Sequence, residues 1–437
     1  MQLPDTVRWA AMHGLIRLAL RPAARSGNLH ARFLTDPQVW ADPYPHYEQL
    51  RTGEPFSRGL AGKITMQHAS ATEVLRCEDL GTIAYGGAPG PIRRVLRWAP
   101  QSARSVIEPP SMLAVDPPEH SRYRKLVTRA FTAKAVKALR ERTEEIATEL
   151  LDDVDKRATA GPVDLIEHYA AQLPVIVICE ILGAPTSMSA RFLEWGDGAA
   201  TSLDPGLDRQ SFLRAQRDID ALLDWMRGHF AELRRNPGED ILSQLVTATD
   251  ERDGERLTET ELLATALLVL AAGFETTVNL IGNAVALLDA HPEQRALLRE
   301  RPELWPNAVD EVLRIDSPVQ RTARRALRDT QLLGVPIAKN EVVAVLLGAA
   351  NRDPEVFPEP ARFDVTRGNA GKHLAFSSGI HHCLGASLAR MEGEVGLRAL
   401  FTRFPDLAVV GEPRRRPTSN LRGYQLLTAA LTPTKVG

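Results

Sequence analysis

Cysteine is scarce in this chain. Cys77, Cys179 and Cys383 are its 3 cysteines in 437 residues, far apart and without a CxxC pair. That excludes a disulfide scaffold and a Cys-rich zinc or iron–sulfur site, and it suits a reducing cytoplasm. An excess of one charge is missing too. With 53 basic and 55 acidic residues the formal net charge is -2, whereas a dedicated nucleic-acid binder needs a strong surplus of Lys and Arg. No run reaches the ~18 consecutive apolar residues of a membrane helix, so no membrane span is expected. Repeats and low-complexity tracts are also absent, and Pro and Gly are spread evenly, with Gly86–Pro91 the densest cluster. What remains is a 44% hydrophobic chain, enough for a sizeable core.

Helical periodicity dominates. Phe131–Val154, Arg209–Arg235, Glu259–Leu288 and Leu384–Phe404 carry apolar residues at spacings of three and four with charges between them. Strand-like runs are short and mostly late: Gln331–Val335, Val342–Leu347 and Leu426–Leu431, with another near Ile64–Met66. From Asn351 to Gly379 three prolines break any period, and so long an irregular stretch is usually functional. The pattern is mainly α with a small β subdomain, read as one domain over 1–437 with residues 1–41 an N-terminal extension. Trp9–Leu20 is apolar but interrupted by His13 and Arg17. Those charges favour an amphipathic surface helix over a secretory signal, and its likeness to a transit peptide is loose.

Residues 262–288 form the most apolar element. Thr258 and Glu261 make a capping-box pattern before it, and Pro292 follows it. Leu262–Phe274 contains no charge, so this helix is expected to be central and buried. Glu275 and Thr276 sit in its middle. An unpaired buried carboxylate costs several kcal/mol, so Glu275 marks a functional site, faces a wet crevice or makes a stabilising pair with a buried Arg. Ala271, Ala272 and Gly273 precede it, small enough to admit a flat, bulky group against the backbone.

Phe376–Gly385 reads FSSGIHHCLG and runs into an amphipathic helix. Cys383 therefore sits at a helix N-terminus, where the thiolate is favoured, and Gly379 and Gly385 let the backbone bend round the sulfur. A thiolate here could be a nucleophile or a metal ligand, or the residue could be inert, as is expected of Cys77 and Cys179. Adjacent His381 and His382 lack zinc-ligand spacing. His120 and Arg124 share a helix face, as do Glu311 and Arg314; Arg324 and Arg325 precede the strand region. Val309, Val312 and Leu313 around the Glu311–Arg314 pair suggest a buried structural ion pair.

These segments together resemble the cytochrome P-450 family of haem-thiolate monooxygenases. Phe376, Gly379, His381, Cys383 and Gly385 match its haem-binding signature in full. Ala272-Gly273-Phe274-Glu275-Thr276-Thr277 matches its oxygen-activation motif, and Glu311-x-x-Arg314 its ExxR motif, with Arg362 as the expected third member. The chain looks most like the soluble bacterial, especially actinobacterial, type. The resemblance implies the P-450 fold, a long central helix over a buried haem b, with Cys383 as the iron ligand. It implies His120, Arg124, Arg324 and His381 on the haem propionates, and Ala272 and Gly273 against the haem. Glu275 and Thr276 would relay protons to O2. Ser377-Ser378 and Phe274 depart mildly from the family pattern and are expected to touch the haem surroundings or the substrate pocket.

The implied reaction inserts one oxygen atom of O2 into a lipophilic small molecule, by hydroxylation or epoxidation, while the other leaves as water. No GxGxxG fingerprint and too few cysteines for a cluster imply separate electron donors, a ferredoxin and ferredoxin reductase, docking near Arg122, Lys125 and Arg129. The resemblance draws the pocket from Leu80–Leu113, Thr201–Phe212, Leu268, Ala271, Val319–Thr322 and Leu421. Two other classes stay open: a Cys–His hydrolase or transferase, and a haem-binding sensor on the same fold that needs neither Glu275 nor Thr276.

Overall fold

A computed structural model describes residues 5–51, 53–59, 62–83, 103–128, 133–238, 240–247 and 257–432, with the side chains of 133–138 excepted. The calls on Gly86–Pro91, on Arg129 and on the start of the helix at Phe131 lie outside the described residues. Local signals set most helix bounds. Arg209–Arg235 forms as the periodicity predicts, with Asp208 capping its first turn. A second long helix spans Ala133–Ala158, and Ala386–Arg403 forms a third. The capping box at Thr258 is complete: Glu261 N donates to Thr258 Oγ1 at 3.3 Å, and Thr258 N to Glu261 Oε2 at 2.8 Å.

The apolar element is central, as its composition requires. Ten consecutive residues, Leu262–Ala271, are buried, and the helices Gln172–Ile181, Ser189–Thr201 and Arg209–Arg235 pack around it. At ~1.5–3 kcal/mol for each large side chain removed from water, this rod is a main source of core stability. The span Glu259–Ala290 is long and apolar enough to cross a membrane, but most of it is buried inside the protein. It is not continuous. Helix Glu259–Gly273 ends at Phe274 and Glu275–Ala290 resumes beyond it. Thr276 Oγ1 donates to the Ala272 carbonyl at 2.8 Å and Thr277 Oγ1 to the Gly273 carbonyl at 3.3 Å. Such side-chain bonds to the preceding turn bend helices.

The sheets correct several sequence expectations. The largest has five strands, in the order Ser57–Arg58, Gly62–Thr65, Val342–Val345, Thr322–Ala326 and Leu80–Gly81. Thr322–Ala326 had no apolar alternation to reveal it. It forms because it pairs on both edges, with Arg324 facing inward and Arg325 turned towards Asn340. The expected strand Gln331–Val335 is a hairpin, Thr330–Leu332 with Val335–Ile337. Leu333 and Gly334 turn it with φ of 48° and 80°, the left-handed pair that two-residue hairpins need. Leu426–Leu431 divides into Tyr424–Leu426 and Thr428–Ala430, which join different sheets. The irregular stretch after Asn351 is as expected, apart from short 3-10 turns.

The leader is helical, Asp5–Trp9, a π turn Ala10–Gly14, then Leu15–Arg25. It is not simply a surface helix: Arg8, Met12, His13 and Leu20 are buried.

Candidate active site

A cavity of about 550 Å³ lies between the broken central helix and the cysteine loop. Ten of the residues singled out in the sequence line it: His120, Arg124, Ala272, Gly273, Thr276, Arg324, Phe376, His381, Cys383 and Gly385. Glu275 and Gly379 do not.

The loop is built to present the sulfur. Cys383 N donates to the Phe376 carbonyl at 2.9 Å, closing the turn, and the Arg390 guanidinium covers the Phe376 ring at 4.6 Å. Gly379 has φ of 71°, and a Cβ there would meet the Leu75 carbonyl oxygen at 2.4 Å, so only glycine fits. Gly385 differs from expectation: its φ is -84° and a Cβ would meet nothing. Its small size leaves the cavity wall open and is not needed for the bend. The helix itself starts at Ala386, beyond the cysteine. Burial pushes the Cys383 thiol up, against the Gly385 N–H, Arg124 and Arg390, which favour the thiolate. The expected helix-end effect is thus outweighed by desolvation, until a bound cation takes the proton's place. Cys179 is the inert buried thiol foreseen, pushed up to about 12 by burial. Among the described residues no histidine nitrogen is hydrogen-bonded to the Cys383 sulfur, which leaves a Cys–His nucleophile without its base.

Beside the sulfur, positive and imidazole groups gather, with the Asp116 carboxylate acting on His120 and Arg324. Helix Glu119–Thr128 supplies His120 and Arg124, and strand Thr322–Ala326 supplies Arg324. The His120 and His381 rings lie 4.2 Å apart, and the Nε2 atom of each is buried without a hydrogen-bond partner. Burial and the neighbouring Arg324, His120 and Arg124 push His381 down to about 3, and burial draws Arg324 down to about 10. Among the described residues Arg324 hydrogen-bonds only to Thr322 Oγ1 and the Ala323 carbonyl, with Asp116 acting on it through space. Two guanidinium groups beside two unpartnered imidazole nitrogens make a receptor for a dianion, and the two propionates of a haem supply that charge. The residues therefore fit the group that the sequence resemblance implies.

The other motif residues divide by role. Glu275 is 2% exposed, and Arg416 Nε stands 3.0 Å from its Oε1, an ion contact without hydrogen-bond geometry. Arg416 also donates to Asp197 Oδ1, an exposed carboxylate, at 2.6 Å. Burial outweighs Arg416 and pushes the Glu275 carboxyl up to about 7. Phe274 is fully buried with its ring against Gly196, away from the cavity, so it does not shape the pocket as expected.

Glu311 and Arg314 form the buried pair foreseen, with both side chains at 0% exposure and Nε to Oε2 at 2.6 Å. The expected third member is wrong. Arg362 points to solvent and pairs with Glu359, whereas Arg367 Nε reaches Glu311 Oε1 at 3.1 Å. Arg362 contributes only its backbone carbonyl, which accepts from Arg314 Nη2 and Arg367 Nη2. The proposed basic docking patch is also weakened, because Arg122 is held by Glu261 of the capping box, which Tyr123 Oη also reaches at 2.7 Å.

Two groups escaped the sequence reading. Met12, His13 and Ile16 of the leader, with His30, line the cavity alongside the foreseen Thr82, Met112, Leu203, Leu268, Val319 and Leu421. Glu392, 2% exposed with Oε2 unpartnered, also lines it, and burial pushes its carboxyl up to about 8. Its sequence signal, an acid in the middle of a buried helix face, was available. A carboxyl raised above its unfolded value of 4.5 binds a proton in the folded state alone between pH 4.5 and about 8. Stability from this group therefore falls as pH rises through that window. Glu392→Gln is expected to melt with wild type near pH 5 and above it near pH 9; equal melting at both, by thermal scans of the two proteins, would refute the raised carboxyl.

Comparison with known proteins follows this geometry. Residues 101–421 match the family model described as Cytochrome P450. A Mycobacterium tuberculosis protein named cytochrome P450 140 is 48% identical over 435 residues, 99% of each chain. The 6-deoxyerythronolide B hydroxylase of Saccharopolyspora erythraea is 45% identical over 294 residues, 67% of this chain and 70% of its own. The crystal structure of ligand-free CYP164A2 from Mycobacterium smegmatis superimposes with a TM-score of 0.82 at 36% identity, over 92% of this chain and 99% of that one.

Proposed function

The chain belongs to the cytochrome P450 family, and from that premise we propose that it hydroxylates or epoxidises a lipophilic small molecule with electrons from a ferredoxin and its reductase. It is a haem b monooxygenase in general class. The finer reading rests most on one juxtaposition, Cys383 with Arg124, Arg324 and the unpartnered His120 and His381 nitrogens on the walls of the same largely apolar cavity. Cys383 would hold the iron, and His120, Arg124, Arg324 and His381 the propionates. When bound, the haem supplies O2 activation, with the thiolate favouring O–O cleavage.

The chain's own residues would do the rest. Ala272 and Gly273 leave room beside the cavity, and the apolar lining keeps water out. Thr276 Oγ1, now donating to the Ala272 carbonyl, would hold a proton at the cavity wall. Glu275, poised near neutrality, would pass protons inward from solvent at the exposed Asp197 by turning about its side-chain bonds, with the permanently charged Arg416 positioning the two carboxylates. The lack of a nucleotide fingerprint or cysteine cluster supports external electron donors, and the cysteine usage supports a cytoplasmic location. The leader and the remaining residues would make one domain.

Thr276→Ala separates this reading from a haem sensor. Product should fall about 10²-fold, the low end of what proton transfer by a placed side chain contributes to a rate, while reductant is still consumed and peroxide is released. Assays of product, peroxide and reductant in a reconstituted system decide it. Product formed at the wild-type yield per reductant would remove Thr276 from the relay.

A further inference from the structure

The leader reaches the cavity with a polar atom that the family reading does not use. Arg8 anchors it through a buried pair, Nη2 lying 3.1 Å from both Glu108 carboxylate oxygens and Nη1 donating to Gln216 at 3.0 Å. Trp9 Nε1 donates to the Leu207 carbonyl at 2.9 Å and Arg17 Nη1 to the Gly206 carbonyl at 3.0 Å. The same leader thus clamps the loop whose Leu203, Asp204 and Pro205 form cavity wall.

His13 lies between the two, 3% exposed, its ring tilted at 54° to that of Phe212 with centroids 5.3 Å apart. Leu207 N donates to its Nδ1 at 3.3 Å, so Nδ1 bears no proton. A neutral ring must then carry its hydrogen on Nε2. Burial and Arg8 keep the ring neutral by pushing it down to about 4. Among the described residues Nε2 has no hydrogen-bond partner, and His13 is part of the cavity wall.

We propose that the leader is a wall of the substrate site, and that the Nε2–H of His13 donates to an acceptor oxygen on a lipophilic substrate, such as a ketone, ester or hydroxyl. Met12 and Ile16 beside it set how far the apolar part extends. This rests on the haem-cavity reading above. It makes the leader selective for oxygenated lipophiles over plain hydrocarbons.

The test uses the full-length holoenzyme and 1-alkylimidazoles from butyl to dodecyl, each paired with an analogue ending in a methyl ketone. The imidazole binds the iron and the chain explores the cavity, and titration of the Soret shift reads affinity. One member of the ketone series should bind about two- to tenfold tighter than its alkyl partner, as one hydrogen bond warrants. His13→Phe should erase that preference and His13→Gln, still a donor, should keep part of it. Ile16→Trp should weaken the longer probes while bare imidazole binds as before. A preference that survives His13→Phe, or long probes indifferent to Ile16→Trp, would overturn the proposal. A missing shift with bare imidazole would instead bring down the haem-cavity reading beneath it.

Discussion

Cys383→Ala is expected to yield a folded protein that no longer gives the thiolate-type spectrum of the reduced carbon-monoxide complex. The side chain opens on the cavity and packs little, and the turn around it is closed by backbone, Cys383 N to the Phe376 carbonyl. Alanine keeps that bond. What disappears is the sulfur, towards which the Gly385 N–H, Arg124 and Arg390 direct positive charge. The cationic cluster around His120 and His381 is untouched, so some pigment should still bind through its propionates. Product formation should drop by more than about a hundredfold, the upper range for losing even a supporting contact to a metal ligand. Difference spectra and turnover assays on the same preparation measure both. A variant retaining the wild-type spectrum would mean that iron is held elsewhere.

Glu311→Ala should have the largest effect on stability. Its carboxylate receives Arg314 at 2.6 and 2.8 Å, Arg367 at 3.1 Å and the Asp364 N–H at 3.0 Å, all out of solvent. Removal strands two guanidinium groups, and breaking a buried pair costs about 3–5 kcal/mol. Native stability is only ~5–15 kcal/mol, so the loss is a large part of the total. With an unfolding entropy of ~2 cal/mol/K for each residue, a chain of this length should lose roughly 3–5 °C in melting temperature. The stretch Asn351–Gly379 should loosen first, because Arg314 and Arg367 also hold the Asn351, Pro358, Pro360 and Arg362 carbonyls that shape it. Arg362→Ala is the matched control. Its side chain is 58% exposed and, among the described residues, pairs directly only with Glu359, so the change should stay within ~0.5 kcal/mol. Comparable losses in the two variants would return Arg362 to the buried cluster.

The contrast between Arg362 and Arg367 shows where a linear reading stops. Both arginines lie near the same prolines, and either spacing could serve. Arg362 fits the motif pattern, yet the turns between Pro358 and Arg367 direct its side chain outward and its carbonyl inward. Glu275 is a similar case. Its burial followed from the apolar residues around it, but Arg416 is brought to it only by the return of the chain near the C-terminus.

Features whose partners lie within a few residues were legible along the chain. Those are the capping box, the Glu311–Arg314 pair, the helix Arg209–Arg235 and the cysteine turn, because helix pitch and backbone geometry dictate such contacts wherever the chain goes. Tertiary structure alone decided which distant surfaces meet: Arg367 with Glu311, Arg416 with Glu275, the leader with the cavity, and strand Thr322–Ala326 with two edges. These depend on how layers close around the core, and burial there shifted the titration of His13, Glu275 and Glu392. Desolvation is a property of the packed interior, so no residue order encodes it locally.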